Sequence, residues 1–72
     1  MNKKDKLFIN EIIYRKFLSI GLNSLDAGSV SDALTDEVSE DVEETADPEN
    51  WHSGDVEIAL ARVLKKRLGI EE

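Results

Sequence analysis

The sequence predicts an all-α fold: a small helical bundle of two strong helices with a weaker acidic helix between them. Three observations carry this expectation. Apolar residues recur at offsets of three and four near both ends of the chain. Each of those stretches is bracketed by residues that start or stop helices. Between them, apolar residues recur every four positions through an acidic stretch.

The first helix is expected over about residues 4–20. Ile9, Ile12, Ile13, Phe17 and Ile20 share one face, and Leu7, Phe8, Tyr14 and Leu18 broaden it. Asn2 is a candidate N-cap. Asp5 falls in the first turn, where a negative charge suits the positive helix end. Gly21 suits the residue after the helix, which often takes a left-handed conformation. Residues 21–29, rich in Gly, Asn, Ser and Asp, read as a connection, with Leu22 and Leu25 folding back onto the core.

The acidic helix is expected over about residues 31–44, started by Ser29 in a capping box with Asp32 or by Ser31. Val30, Leu34, Val38 and Val42 form its apolar stripe. Like charges four apart, Asp36/Glu40 and Glu40/Glu44, oppose it. Val and Thr are weak helix formers. The helix is therefore expected to fray toward its C-terminal end, and a flexible acidic segment is the alternative. Asp47-Pro48 restarts structure as a turn or single helical turn over 47–52. The last helix follows over about 53–68, with Val56, Ala59, Leu60, Val63, Leu64 and Leu68 on its apolar face and Ile58 at the edge. Lys65, Lys66 and Arg67 fill its last turn, as the negative helix end prefers, and Gly69 terminates it.

Length limits the architecture. The chain has 72 residues and no cysteine, so it is read as one small domain without disulfides or thiolate metal sites. Cores of this size are marginal. The bundle is expected either to close as a monomer or to be completed by dimerisation. Attraction between the basic outer helices and the acidic middle favours folding the middle back over them.

Charge narrows the function. Sixteen Asp and Glu stand against nine Lys and Arg, a formal net charge of −7. Affinity for a duplex comes largely from cations that displace counterions, so direct nucleic-acid binding is not expected. No convincing targeting segment and no apolar run of membrane-spanning length occur, so no membrane partner is expected and the location reads as cytoplasmic.

Catalytic chemistry finds little support, and the chain is not expected to be an enzyme. The one histidine, His52, lies beside Ser53 in a polar turn, but sequence neighbours do not make a dyad. A calcium loop starting at Asp41 fails, because Ala46 stands where Gly is needed and His52 where a bidentate Glu is needed. The isolated Gly28 and Gly54 form no phosphate loop. No cofactor is expected.

Residues 26–49 hold ten acidic residues and no basic one. The plainest reading is a solvated helix face. The functional reading is a docking surface for a partner protein with a basic surface, built from Asp36, Glu37, Glu40, Asp41, Glu43 and Glu44, with Trp51 divided between core packing and partner contact. A third is mimicry of the DNA backbone. The expected function is a small acidic protein-binding regulator or inhibitor, with proteins that bind nucleic acid among its candidate partners. Two alternatives stand beside it. One is an assembly subunit whose apolar faces around Phe8, Tyr14, Val63 and Leu64 pack in a homo-oligomer. The other is a nucleic-acid binder using Lys3, Lys4, Lys6, Arg15, Lys16, Arg62, Lys65, Lys66 and Arg67 as one patch.

The segment Ala59-Leu60-Ala61-Arg62-Val63-Leu64-Lys65-Lys66-Arg67-Leu68-Gly69-Ile70 resembles the first helix and turn of a helix-turn-helix. That motif reads DNA with a second helix, and none follows before Glu72. The segment is therefore read as the end of an ordinary amphipathic helix.

Overall fold

The computed structural model describes residues 2–47 and 49–69. Three helices make up the fold: α1 (Lys3–Ser19), α2 (Ser24–Thr45) and α3 (Ser53–Leu68). No strand occurs among the described residues. The all-α expectation holds, and the helices pack into a slab of 32 × 31 × 17 Å. The α1–α2 interface is the most extensive of the three.

The outer helices lie where the sequence placed them. Asn2 caps α1, its side chain accepting the Asp5 N–H at 2.8 Å. Gly21 follows the helix with φ +110°, a conformation that a Cβ would strain. In α3 the stop is Gly69 at φ +71°. Its start is His52, whose Nδ1 accepts the Gly54 N–H at 3.1 Å while the Asp55 carboxylate accepts the His52 N–H at 3.0 Å. This is a reciprocal capping box with imidazole in place of a hydroxyl. Ahead of it the Asp47 carboxylate accepts the Glu49 N–H and an Asn50 amide N–H, closing a separate turn. The expected role of Pro48 lies outside the described residues.

The middle helix differs most from expectation. It begins at Ser24, so residues 24–29 are helix and not connection. The cause is Asn23, whose side chain accepts the Asp26 N–H at 2.8 Å and donates to the Asp26 carboxylate at 3.2 Å. Asn is as strong a cap as Ser, and it comes first in the chain. Ser29 and Ser31 are then interior residues, and the Ser31 hydroxyl donates back to the Gly28 carbonyl. The helix continues to Thr45, and the Ala46 N–H still bonds the Val42 carbonyl.

One core joins the three helices: Ile9 and Ile13 from α1, Leu34, Val38 and Val42 from α2, and Val56, Ala59, Leu60 and Val63 from α3. Ile12, Phe17, Val30, Trp51 and Leu64 close its edges. Several side chains expected inside are exposed. Leu25 is 79% exposed, because the early start of α2 points it outward. Ile20 lies beyond the last residue of α1, so the helical spacing no longer carries it to the core. Leu68, Leu7, Phe8 and Leu18 are also exposed.

The α1–α2 seam has a second, unforeseen row. Ser31, Thr35 and Ser39 are buried four residues apart, beside the apolar stripe. Asn10 of α1 donates to the Thr35 hydroxyl at 3.0 Å and to the Asp32 carboxylate at 2.9 Å, which places this row on the α1 side. The Thr35 hydroxyl donates to the Ser31 carbonyl at 2.6 Å. Ser39 Oγ has no hydrogen-bond partner among the described residues.

Candidate functional site

The six carboxylates proposed for docking all lie on α2, but they do not form one free surface. Asp36 takes the Lys6 ammonium of α1 at 3.2 Å. Glu37 takes the Arg67 guanidinium of α3 at 2.5 Å. Asp41 is the most enclosed. It receives Arg62 Nε at 3.0 and 3.2 Å from its two oxygens, and Arg62 Nη2 as well. The same Nη2 donates to the Thr45 hydroxyl at 2.9 Å. Planar guanidinium suits such forked pairing. The Arg62 hydrogen bond holds the Asp41 carboxyl below the usual carboxylate range, against the opposing effect of burial. The same contact pushes the Arg62 guanidinium up.

Glu40, Glu43 and Glu44 are exposed. Glu40 and Glu44 are one turn apart, and neither makes a hydrogen bond or ion pair with another described residue. Both border an open groove between α2 and α3, whose far wall carries Arg62, Lys65, Lys66 and Arg67. The groove thus has an acidic wall and a basic wall. Glu43 borders a smaller cleft between α1 and α2 with Lys6, Asp36, Ser39 and Glu40. No group of residues with metal-ligand geometry occurs among the described residues.

Trp51 is half-buried at the edge of the core. Its ring meets Phe8 with centroids 5.7 Å apart and planes tilted by 53°. Tilted aromatic pairs at this separation are favourable. The ring therefore ties the α2–α3 connection to α1.

The nine cations do not form one free patch: Arg62, Lys65, Lys66 and Arg67 share the groove wall, and several of the nine are held by carboxylates. Lys6, Arg15, Lys16, Arg62 and Arg67 pair respectively with Asp36, Glu11, Glu57, Asp41 and Glu37. The sequence signal for Lys6, Arg62 and Arg67 as partners of the acidic helix was the opposite charge of the outer helices; which carboxylate each meets depends on the helix crossing. The oligomer surface proposed around Val63 also changes. Val63 is only 4% exposed, because it belongs to the core of a single chain. Among the described residues no helix is long and apolar enough to cross a membrane. Compared with known proteins, the chain matches no family model, no curated protein and no solved structure.

Proposed function

We propose that this chain is a small protein-binding regulator that docks on a basic surface of a partner, with Glu40 and Glu44 as its leading contacts. The observation that carries this reading is the division of the acidic helix. Asp36, Glu37 and Asp41 are engaged by Lys6, Arg67 and Arg62. Glu40 and Glu44 are exposed on the same helix and make no such pair with a described residue. Unpaired exposed carboxylates are the ones whose association with a cation is not opposed by breaking an internal pair. A net charge of −7 adds long-range attraction toward basic partners.

The test is affinity capture from source-cell extract with the tagged chain and with a Glu40→Gln/Glu44→Gln variant. A stoichiometric partner held by the parent, released by salt and lost by the variant supports acidic docking. Equal capture by both chains contradicts it.

A second reading, self-assembly through apolar surface, is favoured by a specific observation. Leu7, Ile20, Leu25, Ile58 and Leu68 are each more than half exposed. Sedimentation across a wide concentration range tests it. A dimer that persists at high salt favours assembly, and a monomer throughout favours docking.

A further inference from the structure

We propose that His52 is a proton-operated cap on α3. The neutral imidazole closes the first turn, and the imidazolium releases it and turns to Asp55. The argument starts from which nitrogen does the work. Nδ1 lies 3.1 Å from the Gly54 nitrogen and accepts its N–H, so Nδ1 must be bare and the neutral ring must carry its proton on Nε2. Adding a proton places an N–H on Nδ1, facing the N–H it had accepted. Two donors cannot bond, and the new positive charge also sits at the positive end of a helix. The capping contact is therefore available only to the neutral ring.

A second contact waits for the charged ring. Nε2 stands 3.8 Å from Asp55 Oδ2, the same oxygen that accepts the His52 N–H. A small rotation brings the imidazolium onto that carboxylate. Protonation thus exchanges one partner for another: Gly54 N–H is lost and Asp55 is gained. The ring has room to move, since its side chain is 74% exposed.

Among the described residues, Asp55 is the carboxylate found within 4.0 Å of the ring. In the preceding turn Asp47 is occupied by the Glu49 N–H and the Asn50 amide; the Glu49 carboxylate is exposed nearby in sequence. From α1 the contact at this corner is the uncharged Phe8 ring against Trp51, with Lys4, Asp5 and Glu11 within a turn of Phe8 and Glu11 held by Arg15. From the end of α2, Asp41 is held by Arg62, and Glu44 borders the groove on the α3 side.

Gly54 completes the device. A Cβ at position 54 would stand 2.8 Å from His52 Cε1 and 3.0 Å from Nδ1, so only glycine lets the ring seat over the first turn. Trp51, the residue before His52, carries the Phe8 contact. The capped turn therefore adjoins the joint between the α2–α3 connection and α1.

The test is ¹⁵N nuclear magnetic resonance on the full chain between about pH 8 and pH 5, where an imidazole changes charge. The proposal expects neutral His52 to be protonated on Nε2. It expects the Gly54 amide to titrate with the same midpoint as the ring and to lose protection from exchange by about fivefold on protonation, in line with the loss of one helix cap. His52→Asn keeps a cap that does not titrate, so its Gly54 amide should stay constant. Gly54→Ala should displace the ring and remove the coupled titration while leaving α3 helical. A neutral ring protonated on Nδ1, a Gly54 amide indifferent to ring protonation, or an equal titration in His52→Asn would each overturn the proposal.

Discussion

The two seams of the acidic helix are built from different chemistry. Toward α1, α2 presents Ser31, Thr35 and Ser39 beside Leu34 and Val38, and receives Ile9, Ile13 and the Asn10 amide. Toward α3 it presents Glu37 and Asp41, and receives two guanidinium groups. The first seam is mainly burial, which salt does not screen. The second adds partly exposed charge pairs, which salt weakens. The difference explains how a helix with eight acidic residues stays folded. Its repulsion is relieved by Arg62 and Arg67 on the α3 flank and by Lys6 on the α1 flank, where small side chains permit close packing.

The largest expected effect breaks the shared core. Ile13→Ala should destabilise the fold by about 3 kcal/mol in urea unfolding, because a fully buried side chain leaves a cavity. A change under about 1 kcal/mol would mean that the α1 seam is looser than described.

Next comes the charged seam. Asp41→Asn should cost about 1 kcal/mol at low salt and less at high salt, since Arg62 is partly exposed. The Asp41 carboxyl is held below its usual range in the folded chain. Its contribution is therefore complete above the unfolded carboxyl range, near pH 4, and is lost as pH falls through the folded titration. Acid unfolding of the parent should be steeper with pH than that of Asp41→Asn, and parallel curves would remove Asp41 from the account.

Smaller changes sharpen the contrast. Ser39→Ala should stabilise by roughly 0.5 kcal/mol, because it removes a buried hydroxyl without a described partner and adds helix propensity. Thermal unfolding would show the opposite sign if that hydroxyl is bonded in solution. Glu44→Gln should stabilise by a few tenths of a kcal/mol, since it removes a negative charge from the negative end of α2, which has no basic residue in its last turn. A measurable loss of stability would instead imply a favourable contact for Glu44 across the groove.

The outer helices were legible because spacing and caps agreed: Ile9 and Ile13, Val56 and Val63, Asn2, Gly21 and Gly69 all act as their residue types predict. The early start of α2 is hidden in the sequence because Gly28 and several Ser and Asp residues resemble a turn, whereas in the structure the Asn23 cap outweighs them. The Ser31–Thr35–Ser39 row is not legible in the sequence, because polar side chains give no hydrophobic signal even at a four-residue spacing. For the candidate site, the sequence supplied the acidic residues and their attraction to the outer helices. It did not separate Asp41, locked by Arg62, from Glu40 one residue before it. That division depends on which way each side chain leaves the helix and on where α3 crosses, both tertiary properties.

Amide hydrogen exchange at low salt and at about 1 M salt tests the two-seam account most directly. The account predicts that α3 loses protection at high salt relative to α1 and to the α1-facing side of α2. Equal loss across all three helices, or greater loss in α1, would contradict it.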